Sequence, residues 1–177
     1  VICTPRFDSE QFFHWLETLA PTWYTAVPTM HHAALSRVRS NPELVKGHAL
    51  RFIRSSSSAM PMRVMQELEE RFRVPVIEAY GMTEAAHQMT SNPLPPGQRK
   101  LGSVGMVAGP EVSIMDELGN VLSPGQVGEI VIRGANLMSG YLNSPESADE
   151  NFERGWFRTG DQGYLDTDGY LFITGRL

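Results

Sequence analysis

The chain holds a single cysteine, Cys3, so no internal disulfide can staple it, and one thiol fits a reducing compartment. A lone small thiol near an apolar start reads as packing rather than as a nucleophile. No apolar run approaches the roughly 18 residues that a membrane-spanning helix needs, and the first residues lack the charged-then-apolar order of a signal peptide. Basic side chains are few and scattered. Fifteen Lys and Arg against 20 Asp and Glu leave a net charge of -5, which gives no reason to expect nucleic acid as a partner. A phosphate loop of the form GxxxxGK[ST] is absent. None of the five histidines has zinc-site spacing. His31 and His32 are adjacent, so on a helix they point about 100° apart and do not readily share a metal. The start at Val1 without Met, and the stop at Leu177 just after the apolar Tyr170-Leu171-Phe172-Ile173, read as cuts through structure, so the chain is taken as a fragment.

What is present is ordinary globular composition, 41% hydrophobic and 20% charged over 177 residues, enough for one domain or two small subdomains. From Phe7 to about Met89 the pattern alternates helix and strand. Asp8 caps a helix whose apolar positions Phe12, Leu16 and Leu19 share one face, and Pro21 follows its end. Tyr24 to Val27 reads as a strand, Thr29 to Val38 as a helix closed by Asn41-Pro42, and Leu50 to Arg54 as the next strand. Pro61 suits the first turn of a third helix with Val64, Leu68 and Phe72 on one side. A strand from Val74 to Ala79 completes the series. Strands separated by helices of this length imply a parallel sheet.

After the Pro- and Gly-rich stretch from Ser91 to Gly102, read as a linker or a shaped loop, the character changes. Short apolar runs at Val112 to Met115, Gly128 to Ile132, Gly163 to Leu165 and Tyr170 to Thr174 are separated by turn signals, the mark of antiparallel hairpins. One short helix is expected from Pro145 to Phe152, with Ser144 as its cap. The fold class is therefore α/β followed by mainly β: a partial parallel α/β layer over residues 1–97, then a small antiparallel, barrel-like subdomain over 98–177.

Three segments are candidates for chemistry. Tyr80-Gly81-Met82-Thr83-Glu84 directly follows an apolar strand, at the carboxyl end where open α/β sheets bind ligands. Tyr80 offers a ring for a base, Thr83 a hydroxyl for a phosphate oxygen and Glu84 a carboxylate for Mg²⁺. An ordinary strand end can read the same. Ser55-Ser56-Ser57-Ser58-Ala59 lies between a strand and a helix, where small side chains let a ligand approach the backbone, although a flexible serine linker looks alike. Asp161 sits at a Gly-bearing turn and is placed to accept from two vicinal hydroxyls, such as those of a ribose; a turn-stabilising aspartate is the plainer reading. His87, three residues past Glu84, is a candidate for binding a small carboxylate.

Together these segments resemble the adenylate-forming enzymes: acyl-CoA synthetases, peptide-synthetase adenylation domains and luciferases. Tyr80 to Glu84 resembles YGxTE, Gly128-Glu129-Ile130-Val131-Ile132-Arg133-Gly134 resembles GELxIRG, Trp156-Phe157-Arg158-Thr159-Gly160-Asp161 resembles [YW]xxTGD, and Gly175-Arg176 the start of the GRxK[DE] hinge. Thr22 to Thr29, Leu50 to Ser55, Met82 to His87 and Ser91 to Pro95 are similar to oxalate–CoA ligases and their peroxisomal-type relatives. The resemblance implies the fold of the large N-terminal domain of that family. It also implies a ligase that uses ATP, Mg²⁺ and coenzyme A to form an acyl-AMP and then an acyl-CoA.

Carried over residue by residue, it implies catalytic roles for Thr83 and Glu84, with Mg²⁺ on Glu84. Nucleotide contacts are implied at Ser57, Ser58, Ala59, Met60, Ala79, Tyr80, Gly81, Asp161 and Arg176. Ser58, Ala59, Gly81 and His87 would lie near the acid, with His87 against the second carboxylate of oxalate. Oxalate or another small acid is the expected substrate; a medium- or long-chain fatty acid, an aryl acid, loading of a carrier protein, and a silent nucleotide-binding module are the alternatives. The expected compartment is cytoplasmic or peroxisomal, the choice between them left open. The family's phosphate loop and catalytic lysine are not within the chain, so the isolated fragment is expected to turn over little or nothing. Ser57-Ser58-Ala59 stands where relatives often have Gly-Gly-Ala, which loosens the adenine assignment.

Overall fold

Asp8 starts the first helix by accepting from the backbone N–H groups of Glu10 and Gln11 at 2.8 and 3.1 Å, which satisfies two donors that the first turn leaves open. The resulting α1 (Ser9–Leu19) buries Phe12, Phe13 and Leu16, while Leu19, expected on that face, is 46% exposed. A left-handed Ala20 turns the chain outward before Leu19 can pack. The sequence then follows its expected alternation: β1 (Trp23–Ala26), α2 (Pro28–Ser40), β2 (Phe52–Ser55), α3 (Met62–Phe72) and β3 (Val76–Met82). Proline opens α2, where its missing N–H costs nothing, and the left-handed Arg73 closes α3. Strands β1 and β2 pair in parallel from Trp23↔Phe52 to Ala26↔Ser55.

The computed structural model describes residues 1–141 and 152–177, in two compact units, Val1–Ile77 and Glu78–Leu177. The division falls inside β3, upstream of the composition change after Gly97. In the first unit, Leu35 and Val38 of α2, Val64, Leu68 and Phe72 of α3, and Ile53 of β2 form one buried cluster with the aromatic face of α1. Cys3 is exposed and takes no part in it, because the chain before Phe7 adopts no regular structure that would carry the thiol inward.

His31 is a polar residue buried beside that core. It is fully buried on α2, with Nδ1 hydrogen-bonded to the Tyr24 hydroxyl at 3.2 Å. Burial pushes its pKa down to about 4, and the backbone of Ala26 and Arg54 offsets this in part. The unfolded chain binds this proton near pH 6.5 and the native chain does not, so the stabilisation is complete above that pH and is lost as pH falls towards 4. Going from pH 7 to pH 5 should remove about 2 kcal/mol through this residue alone. Urea unfolding at the two pH values checks it: in His31→Leu the pH-dependent difference should shrink by that amount, and an unchanged difference would refute the assignment.

In the second unit β3 does not stop at Ala79. It continues to Met82, turns over the short 3-10 segment Thr83–Ala85 and returns as β4 (His87–Ser91), which pairs in turn with β5 (Met106–Val107). Strands β3, β4 and β5 thus pair antiparallel, in contrast to the parallel β1 and β2 of the first unit. The Pro- and Gly-rich stretch after β4 is a shaped loop. Asn92 donates to the carbonyl of Ser103 at 2.8 Å and accepts from the N–H of Lys100 at 3.1 Å. Lys100 in turn pairs with Asp166 and Asp168 and lies over the ring of Tyr170, 4.6 Å from its centroid.

A second, curled antiparallel sheet has the order β10-β9-β7-β6, made of β6 (Glu111–Met115), β7 (Gly128–Arg133), β9 (Trp156–Leu165) and β10 (Leu171–Arg176), with β8 (Phe152–Glu153) against β9. Asp116 and Asp166 each tie their turn by accepting two backbone N–H bonds. Strand β9 is longer than the expected Gly163 to Leu165 because Phe157, apolar and 2% exposed, anchors its first half in the core beside Ile132. The expected helix from Pro145 lies outside the described residues, except for Phe152, which belongs to β8. No helix among the described residues is long and apolar enough to cross a membrane.

Candidate active site

Tyr80, Gly81 and Met82 extend β3 itself, and Thr83 and Glu84 form the tip of the antiparallel β3–β4 hairpin. The ladder carries the chain further than the apolar run suggests because Tyr80 pairs with Thr90 and Gly81 with Gln88, with a register shift between them. The tip is held from below. Asn136 donates its side-chain N–H to the carbonyl of Ala85 at 2.8 Å, the N–H of Met138 donates to the carbonyl of Glu84 at 2.8 Å, and the Tyr141 hydroxyl donates to Glu84 Oε1 at 3.0 Å. Thr83 is exposed and Glu84 half-buried, so a hydroxyl and a carboxylate project from a fixed turn.

The Tyr80 hydroxyl donates to Asp161 Oδ2 at 2.5 Å. Burial first, and the Asp161 carboxylate second, push the phenol pKa well above its ordinary value, so the group stays a donor throughout the neutral range. Asp161 is not at a turn. It lies in the interior of β9, where Thr159, Gly160 and Asp161 bulge out opposite Ile130: the register with β7 jumps from Val131↔Arg158 to Glu129↔Gln162. Gly160 at φ 73° supplies the left-handed step that the bulge needs. Arg176 pairs directly across β10 with Asp161, its guanidinium 3.9 Å from Oδ1 and 77% exposed, which makes a loose, solvent-screened ion pair.

The second unit therefore holds Tyr80, Gly81, Thr83 and Glu84 on β3 and its hairpin tip and Asp161 and Arg176 on β9 and β10, with Tyr80 bonded to Asp161 and Ala79 buried one position before Tyr80. His87 pairs with Met82 at the start of β4 and is exposed. It and Ala86 both have positive φ, 81° and 49°, a costly pair for side chains with a Cβ and the kind of strain that functional turns hold. Ser57, Ser58 and Ala59 belong to the first unit, exposed in the β2–α3 loop with Ser57 at φ 76°, while the Met60 side chain is buried in that unit's core. Sequence reasoning passed over Tyr141, Glu129 and Arg158. For Glu129 the signal was available: a carboxylate at the start of an otherwise apolar strand must find a partner inside. No cluster of three metal-ligating side chains exists among the described residues, which leaves Glu84 as a single hard oxygen donor.

Residues 1–142 match the AMP-binding enzyme family, and the chain belongs to it. Among its relatives, the oxalate–CoA ligase of Arabidopsis thaliana is 49% identical over 173 residues, 97% of this chain and 34% of that protein. The oxalate–CoA ligase of Saccharomyces cerevisiae is 50% identical over 179 residues, covering 100% of this chain and 32% of that protein. The ATP-bound structure of MatB from Rhodopseudomonas palustris superposes with a TM-score of 0.88 at 32% identity, over 98% of this chain and 34% of that one. The chain thus spans about one third of the length of these relatives.

Proposed function

We propose that the chain carries the adenylate-holding part of an ATP-dependent acid–CoA ligase that acts on oxalate or another small carboxylic acid. The observation that carries this is the Tyr80–Asp161 hydrogen bond, which joins two segments 81 residues apart into one site. Tyr80 offers a half-buried ring on which a base stacks while its hydroxyl steadies Asp161, and Asp161 accepts from the ribose hydroxyls. Thr83 donates to an oxygen of the α-phosphate. In the first step a carboxylate oxygen of the acid bonds to the α-phosphorus and pyrophosphate leaves; in the second the CoA thiolate bonds to the acyl carbon and AMP leaves. Holding the partners in line and offsetting the charge at phosphorus are the protein's tasks.

A single carboxylate completed by phosphate oxygens and water is a coordination that Mg²⁺ accepts, so Glu84 fits the ion. When bound, Mg²⁺ neutralises charge on the phosphates. Tyr141 holds the Glu84 carboxylate at the tip, ready for it. The test is pyrophosphate release by the full-length gene product with ATP, CoA and a series of acids: oxalate, short-chain, aryl and long-chain. Release should be greatest with oxalate or another short acid; no release with any acid would overturn the ligase reading, and strong activity on long chains alone would overturn the small-acid reading.

For His87 the expected role is contact with the second carboxylate of the acid. His87→Ala should raise the KM for the acid about tenfold, the value of one hydrogen bond to a charged group, with the KM for ATP changed by less than twofold. Equal effects on both would remove His87 from the acid site.

A further inference from the structure

We propose that Glu129 is a positioning residue that acts on the nucleotide through the β9 bulge, by holding Asp161 in the place where it meets the ribose. The inference rests on the ribose-binding reading of Asp161 and adds a residue from the GELxIRG segment, which the first reading left without a part. Glu129 is 7% exposed, inside the second sheet. One of its oxygens, Oε1, accepts from the N–H of Gly160 at 2.9 Å; the other, Oε2, accepts from Arg158 at 2.6 Å at Nε and lies 2.5 Å from a second guanidinium nitrogen. Arg158 is further paired with Glu153. The carboxylate thus grips the bulge at both its entry, Arg158, and its apex, Gly160.

The neighbouring bonds point the same way. Thr159 donates its hydroxyl to the carbonyl of Ile130 at 2.7 Å and accepts from the N–H of Asp161 at 3.1 Å, while Leu177 donates to the carbonyl of Gly160 at 2.8 Å. Every bulge residue from Arg158 to Asp161 is tied, and among the described residues only Glu129 supplies a charged acceptor to the backbone there, bonds to an ionised acceptor being the stronger kind. The bulge takes these residues out of the ladder with β7, so without Glu129 the N–H of Gly160 would be free to reorient, and the backbone that sets the angle of Asp161 with it. Arg158 serves to balance the buried charge, which alone would be costly to hold inside the sheet.

The test compares ATP with 3′-deoxy-ATP in pyrophosphate release by the full-length gene product. A hydrogen bond from a ribose hydroxyl to a carboxylate should favour ATP by on the order of tenfold or more. Asp161→Asn should abolish most of that preference. Glu129→Gln should lower it at least threefold and raise the KM for ATP more than it lowers kcat, although Glu129 touches no nucleotide. A loss of activity equal on both nucleotides, with the preference intact, would mean that Glu129 is merely structural and would overturn the inference. Should Glu129→Gln fail to fold, Glu129→Asp keeps the charge beside Arg158 but withdraws the oxygen from Gly160, and the same comparison decides. An unchanged preference in Asp161→Asn would instead sink the ribose reading itself, and this inference with it.

Discussion

Replacing Gly81 by alanine should destabilise the protein by on the order of 3 kcal/mol or more and take pyrophosphate release with it. A Cβ at this position would stand 1.4 Å from the carbonyl oxygen of His87 and 2.5 Å from its carbon. That is covalent range, and the obstacle is the backbone of the paired strand, so no side-chain rotation relieves it. Gly81 is therefore needed for space rather than for an unusual dihedral angle. The hairpin would have to open at its tip, where Gly81 pairs with Gln88 and Met82 with His87, and the turn that presents Thr83 and Glu84 would move. Gly125→Ala is the control: it has positive φ, 85°, but nothing near its missing Cβ, so about 1 kcal/mol of backbone strain is the expected cost. Urea unfolding of both variants decides the point; a Gly81→Ala loss below that of Gly125→Ala would contradict the close approach.

Glu84→Ala should lower pyrophosphate release by roughly 10³-fold, the equivalent of about 4 kcal/mol of charge stabilisation by a bound metal. The side chain is half-buried at a turn and its partner among the described residues is the Tyr141 hydroxyl, so its removal should leave the fold intact. Two further variants separate metal binding from local structure. Glu84→Asp should recover part of the activity when Mg²⁺ is raised, and Tyr141→Phe, which keeps the carboxylate and loses only its restraint, should cost less than tenfold. A Glu84→Ala enzyme with normal Mg²⁺ dependence would place the metal elsewhere.

Much of the architecture was legible before any coordinates, and the residues show why. Asp8, Pro21 and Asn41-Pro42 act over one helical turn, so those helix ends could be read locally, and the spacing of Val64, Leu68 and Phe72 identified the buried face of α3. Leu19 was misplaced because a left-handed Ala20 leaves no signal in the sequence. Strand lengths were underestimated at Ala79 and Gly163 for a shared reason. Tyr80-Gly81-Met82 and Thr159-Gly160-Asp161 look like breaks, since polar residues and glycine interrupt the apolar run, but partners on β4, β7 and β10 keep these stretches in the ladder as bulges.

The sequence by itself determined the order of helices and strands as far as β3, the change from α/β to β, and the family, because those rest on local pattern and on ordered strings of residues. It also named Tyr80, Glu84 and Asp161 as candidates. Only the tertiary structure decided that Tyr80 and Asp161 are one hydrogen-bonded pair, that Tyr141 restrains Glu84, that Gly81 is required by the carbonyl opposite, and that Glu129 grips the bulge beneath Asp161. Each of these joins residues brought together by cross-strand pairing or by packing. Register there is set by the sum of many ladder bonds and buried side chains, and no stretch of neighbouring residues encodes it alone.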